Sequence, residues 1–252
     1  MGAKKTKNKK MKLTLFYIII LFSILGGVGN CFASKKQNSL EQKKSWLKYF
    51  TFFIIIILLF ACICFSAEIF SWICGLIVVA GLVEIIRLQK RNPRKKSVFY
   101  VIILVYTLIS IGFCFFGNLS QAILLFTLFT VCTFDAFCQI AGQLLGKNKI
   151  CPQISPNKTG EGLAGGFLIS VCTFLIVGRI LEFTIFKTVI IGFGVCVFSF
   201  GGDIAASWIK RKYGVKDFSS ALPGHGGFLD RFDSFIAAGA FIYLFQLIIT
   251  IT

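Results

Sequence analysis

Acidic side chains are scarce in this chain: Asp and Glu total 10 of 252 residues, against 27 Lys and Arg. Charged residues of both signs reach 15%, where soluble domains carry about 25%. Too little polar surface remains to coat a water-soluble globule of this size. Proline numbers 4 and histidine 1, and with so few polar residues a disordered chain or a collagen-like fibre is excluded. The 10 cysteines sit mostly singly inside apolar stretches, as Cys114, Cys132, Cys172 and Cys196 do. Cys62 and Cys64 form one close pair, but no second pair stands at zinc-site spacing, so neither a disulfide scaffold nor a zinc module is expected.

What the chain has instead is apolar length. Hydrophobic residues make up 56%, Phe alone contributes 30, and mean hydropathy is +0.84. The runs are long and continuous rather than alternating, which predicts an all-α integral membrane protein and excludes a barrel. Spans are expected over residues 13–33, 49–66, 69–86, 98–116, 119–142, 163–181, 186–204 and 234–252. This is a polytopic bundle of about eight transmembrane helices (seven to nine). The expected organisation is a basic tail over 1–12, N-terminal helices over 13–116, and a C-terminal membrane domain over 117–252. Polar loops over 143–162 and 205–233 interrupt that domain.

The formal charge of +17 is concentrated in the gaps between spans, the pattern of lipid-facing and phosphate-facing bases rather than of nucleic-acid binding. Basic segments at 34–46, 87–96, 147–161 and 207–233 fall on one side when spans alternate, and that side is expected to be cytosolic. The tail with Lys4, Lys5, Lys7, Lys9, Lys10 and Lys12 breaks the pattern, because it lies one span away. The stretch Gly26-Gly27-Val28-Gly29-Asn30 is a poor helix, so the first segment is left open as spanning, re-entrant or cleaved.

The few acids are unevenly placed. Asp203, Asp217, Asp230 and Asp233 share one window with Lys210, Arg211, Lys212, Lys216, Arg231 and His225. Carboxylates at a membrane border are costly unless paired or bound to a cation. Beside bases they form the constellation phosphoryl or nucleotidyl transfer needs: acids for a hard cation such as Mg2+, bases for the remaining phosphate charge. A set of salt bridges capping two helices would look the same on spacing alone. Pro223-Gly224-His225-Gly226-Gly227 favours the site, since its glycines let backbone amides approach an anion.

A second loop carries Gly146-Lys147 and Ile154-Ser155-Pro156-Asn157-Lys158-Thr159-Gly160-Glu161-Gly162. It is not a P-loop: the spacing is one residue short and Asn148 stands where Ser or Thr is required. Ser155 and Asn157 can start turns or cap the next helix, and Lys158 can meet phosphate there. Asp135, inside the fifth span, is either functional or the internal partner of a base such as Lys147.

The run from Ser207 through Lys210-Arg211, Lys216-Asp217, Leu222-Pro223, His225-Gly226-Gly227 and Asp230-Arg231-Phe232-Asp233 resembles the phosphatidate cytidylyltransferase (CDP-diacylglycerol synthase) signature at every fixed position. Asp135, Gly146-Lys147 and the 154–162 loop are similar to a second family block. The resemblance covers roughly the C-terminal half. It implies a membrane enzyme, dimeric, that makes CDP-diacylglycerol and pyrophosphate from CTP and phosphatidate with Mg2+ and, in part of the family, a monovalent cation such as K+. Carried over by resemblance, Asp203, Asp230 and Asp233 hold metal and act in catalysis with Lys210. Substrate falls to Lys147, Ser155, Lys158, Ser207, Arg211, Lys216, His225, Gly226, Gly227 and Arg231. The chain departs from the family at Ala206, where Glu is usual, and at Gly160, where Trp is usual, which touches acceptor choice more than reaction class. An isoprenoid-lipid cytidylyltransferase or CTP-dependent polyprenol kinase, or a non-catalytic subunit or transporter, stands as the alternative. Expected partners are CTP, phosphatidate, membrane lipids and a second copy of the chain, with no nucleic acid, at a bacterial inner membrane with the site facing the cytoplasm.

Overall fold

Backbone amides inside hydrocarbon must find partners within their own segment, so apolar runs of this length become helices. The computed structural model describes residues 2–35, 38–94, 96–221 and 226–251. Among them the chain forms α1 (Gly2–Ser34), α2 (Ser39–Phe65), α3 (Ala67–Arg91), α4 (Lys96–Phe116) and α5 (Gln121–Leu145). A short hairpin of β1 (Lys149–Cys151) and β2 (Ser155–Thr159) follows, then α6 (Gly160–Ile180), α7 (Ile185–Lys212) and α8 (Leu229–Ile251). All eight helices are long and apolar enough to cross a membrane, and the chain is an integral, multi-pass membrane protein. Local signals set the breaks. Ser66 is extended and accepts from the Glu68 N–H to start α3. Thr159 caps α6 through the Gly162 N–H and Thr184 caps α7 through that of Lys187.

Three boundaries differ from the sequence expectation. The polar segment expected from 205 is helical as far as Lys212, so Ser207, Lys210 and Arg211 stand on a rigid helix. The polar loop before α6 contains the antiparallel hairpin, with Lys149 opposite Thr159 and Cys151 opposite Ser155. The glycine-rich end of the first segment is uninterrupted helix, because its missing side chains make room for neighbours. The Tyr49 ring lies over Gly26 and Gly27, and a Cβ on Gly29 would meet Ile140 Cγ2 at 2.9 Å. The Tyr49 hydroxyl also donates to the Ser23 carbonyl.

α5 is the axis of the bundle, with Ile123 through Val131 all buried. Its face toward α6 is lined with small residues: a Cβ on Gly166 would meet the Cys138 amide nitrogen at 2.8 Å and one on Gly165 the Ala141 Cβ at 2.5 Å. Helices without a hydrophobic drive between them pack through such close backbone approach. On the other side, Phe70, Phe113, Phe116 and Phe235 join α3, α4 and α8 in an aromatic cluster, centroids 5.6–6.4 Å apart.

The basic tail lies with the far ends of the helices. Lys7 pairs with Glu182 in the α6–α7 connection, and Lys12 Nζ donates to the Cys64 carbonyl at the end of α2, at 2.7 Å. Both partners are on the face opposite the hairpin, so α1 runs the length of the bundle and the tail lies at the end away from the hairpin. In a cysteine-free background, an impermeant thiol reagent applied to sealed vesicles is therefore expected to reach Lys9→Cys and Lys149→Cys from opposite sides. Labelling of both from one side would contradict this topology.

Candidate active site

Where α7 meets α8, Gly202 removes the side chain that would keep them apart. A Cβ there would lie 2.7 Å from the Asp233 carbonyl oxygen and 2.6 Å from the Ala237 Cβ. The next residue, Asp203, thereby comes beside Asp233. Both line a cavity of about 780 Å³ that also receives Asp135 from α5, Ser155 and Lys158 from β2, and Lys210, Asp217, Asp230 and Arg231. The lower wall is apolar, with Ile19 and Phe22 of α1, Phe52, Phe53 and Ile56 of α2, and Leu128 and Phe129 of α5.

Two carboxylates behave differently there. Asp203 keeps 36% of its side chain exposed and pairs with Lys158 Nζ at 2.6 Å. Ser207 Oγ donates to its other oxygen at 3.4 Å. The Lys158 ammonium also sits 4.4 Å from the Phe200 ring centroid. Asp230 is only 3% exposed and pairs with Lys210, itself 10% exposed, at 2.6 Å. Its second oxygen accepts the N–H groups of Phe218 at 2.9 Å and Gly227 at 2.7 Å. Those three bonds offset the desolvation of a buried charge. To take a metal as well, Asp230 would have to release Lys210. Asp135 accepts from Ser199 Oγ at 3.1 Å, which ties α5 to α7 beside the acids.

One residue in this architecture left no mark in the sequence reading. Glu84 of α3 is 5% exposed and accepts the Phe228 and Leu229 N–H groups at 2.8 Å each, together with the Ser219 hydroxyl. It caps the start of α8 from another helix and so fixes Asp230, Arg231 and Asp233 in direction. The available signal was an acid inside an apolar span, the rule that marked Asp135. Gly226 and Gly227 make this crowding possible. Gly226 has φ +81°, and a Cβ there would lie 3.0 Å from the Asp217 carboxyl; on Gly227 it would lie 2.8 Å from Glu84 and 2.9 Å from Asp230. The anion that the Gly227 amide meets is thus Asp230 of the protein itself.

The remaining expected residues are dispersed. Ser155 and Arg231 line the cavity. Arg211 points elsewhere, donating to the Ile154 carbonyl at 3.0 Å and that of Val215 at 2.8 Å, and so fastens the hairpin to the end of α7. Lys147 and Lys216 are exposed and outside the cavity lining. The Lys147 and Asn148 amides donate to Glu161, which closes the hairpin base. His225 lies outside the described residues.

Among the described residues no three His, Cys, Asp or Glu side chains assemble into a cation cage. A hard cation such as Mg2+ would need one or two carboxylates, with waters and phosphate oxygens completing its shell. Asp203 and Asp233, on the cavity wall, are the pair that fits.

The Cytidylyltransferase family matches residues 98–249, a stretch that holds every acid and base named above for the cavity; Lys48 of α2, which also lines it, lies outside. The chain belongs to this family. It is 40% identical over 133 residues to a phosphatidate cytidylyltransferase of Staphylococcus saprophyticus, covering 51% of each chain. It is 39% identical over 145 residues to one of Bacillus subtilis, covering 54% of each. With one of Staphylococcus aureus it shares 34% over 194 residues, 64% of this chain and 75% of the other. The chain thus spans about half the length of the first two relatives in these matches.

The contrast between the carboxylates can be measured. Asp230→Asn strands the buried Lys210 charge and is expected to cost about 3–5 kcal/mol of stability. Asp203→Asn, at a more exposed site, is expected to leave thermal unfolding in detergent within about 1 kcal/mol of the parent. Equal melting temperatures for the two variants would contradict the assignment.

Proposed function

We propose that this protein transfers the cytidylyl group of CTP to phosphatidate, giving CDP-diacylglycerol and pyrophosphate. The observation that carries the reading is one cavity in which acids and bases meet above an apolar floor, its acids all lying inside the segment that the family match covers. Two polyanions, one of them a lipid, need such a place. The relatives' shared name supports the same acceptor.

In this reading Asp203 and Asp233 would hold Mg2+, which would supply positive charge to offset that of the phosphates. Lys158 and Arg231 meet phosphates from the cavity wall. Lys210 holds Asp230 in place and stands within reach of the same space. An oxygen of the phosphatidate monoester forms a bond to the α-phosphorus of CTP, and the bond from that phosphorus to the bridging oxygen breaks, so pyrophosphate leaves with the electron pair. The monoester is already anionic near neutral pH, so no strong general base is required. The protein's contribution is positioning and charge neutralisation in a partly dry site. Lys147, Lys216 and Arg211 then act outside the reacting centre, Arg211 by holding the hairpin that carries Lys158.

The proposal includes the cytoplasmic face of a bacterial inner membrane, K+ as an accompanying cation, and a homodimer. Grouping of the ionisable residues at one cavity supports an enzyme over a transporter, whose charges would spread through several spans. Purified protein in detergent micelles is expected to convert labelled CTP and phosphatidate to CDP-diacylglycerol only with Mg2+. Asp203→Asn and Asp233→Asn should each lower the rate at least a hundredfold, about 2.7 kcal/mol. Turnover with a polyprenyl phosphate or a free polyprenol but not phosphatidate would overturn the acceptor, and near-parental rates in either variant would overturn the roles.

A further inference from the structure

One face of α5 runs along the cavity and changes chemistry as it goes. Leu128, Cys132, Asp135, Gln139 and Gln143 all line it, and their spacing of three or four residues makes them one ridge of the helix. The ridge starts in the apolar floor, passes the acids at Asp135 and ends in two amides near the hairpin. At 1.5 Å of rise per residue, Gln139 stands about 6 Å and Gln143 about 12 Å along the axis from Asp135, a reach on the scale of a nucleoside.

Asn157 of β2 adds a third amide to the same lining. A strand alternates its side chains between two faces. Lys158 turns to Asp203 of α7, whereas Thr159 lies against α5, its Oγ1 3.3 Å from where a Cβ on Gly142 would be. Asn157 shares the Thr159 face, toward α5. Gln139, Gln143 and Asn157 are all exposed, and among the described residues none makes a hydrogen bond through its side chain. The chemistry above leaves all three unused.

A terminal amide offers donors and an acceptor without net charge. Such a group adds little for a triphosphate, which Lys158 and Arg231 are placed to meet, and nothing for an acyl chain. It does complement the edge of a base, where donors and acceptors stand side by side. Cytosine presents an amino donor next to a ring-nitrogen acceptor, the counterpart of one amide.

We propose that Gln139, Gln143 and Asn157 form the nucleobase subsite, where their amides hydrogen-bond the cytosine of CTP while its phosphates lie deeper, among the acids and bases. This rests on the cytidylyl-transfer reading given above. It puts the nucleotide at the hairpin end and leaves the apolar floor to the lipid, so the two substrates reach the acids from opposite ends of one space.

The test is competition against labelled CTP bound to the full-length protein in detergent with Mg2+ and no lipid, joined to steady-state kinetics. Inorganic triphosphate is the key competitor, because it carries the charge of CTP without the base. Gln139→Ala, Gln143→Ala and Asn157→Ala are each expected to weaken CTP binding about fivefold, the scale of one neutral hydrogen bond, and the triple variant by more. Affinity for inorganic triphosphate, the KM for phosphatidate and the melting temperature should stay parental, and the KM for CTP should rise with kcat held. ATP should compete less well than CTP in the parent, and that preference should narrow in the triple variant. Parental CTP affinity in the triple variant would overturn the subsite. So would an equal loss for CTP and inorganic triphosphate, or equal competition by CTP and ATP in the parent. If CTP binds through these amides yet no CDP-diacylglycerol forms, the reaction reading fails and the subsite stands.

Discussion

The structure depends on bringing like charges together inside an apolar bundle. Asp135, Asp203 and Asp233 come from three different helices and open into one cavity, where each would be costly alone. The contact that permits it is steric. Gly202 lets the backbone of α7 press on that of α8 beside Asp233, and the resulting repulsion is offset by Lys158 on Asp203 and by the serine on Asp135.

Around it, a second layer of carboxylates does structural work. Asp230 takes Lys210 and two backbone amides, and Glu84 takes the first amides of α8. Together they hold Phe218, Ser219 and the start of α8 against the bundle and aim α8 at the cavity. Gly226 and Gly227 are the places where the chain passes between these acids. The same sequence window thus carries two roles, one set of acids open to ligand and another closed by the protein. Exposure separates Asp203 from Asp230: 36% of the Asp203 side chain is exposed against 3% for Asp230.

The bundle itself was legible in the sequence, because the bilayer leaves an apolar run little choice but helix. Asp203, Asp217, Asp230 and Asp233 were legible as one window with Arg231 because acids are rare enough here for their placement to inform, while Lys158 was read separately in a second loop. Their division of labour was not. Nothing in the spacing of Asp203, Asp230 and Asp233 says which one faces a backbone amide; that follows from where the Phe218 and Gly227 amides lie. Glu84 was missed because its partners are far along the chain, at Ser219, Phe228 and Leu229. The hairpin escaped notice because its strands are short and Pro156 and Lys158 lack strand character. The glycines of α1 misled in the other direction: read as helix breakers, they are sites of close contact with Tyr49 and Ile140.

The central claim is that Asp203 and Asp233 are the carboxylates open to a divalent cation. Mn2+ in place of Mg2+ tests it without any turnover, through the electron paramagnetic resonance signal of the bound ion in the presence of CTP. The account predicts one bound Mn2+ in the parent protein and loss of that signal in both Asp203→Asn and Asp233→Asn. Equal Mn2+ occupancy in the parent and the two variants would contradict it.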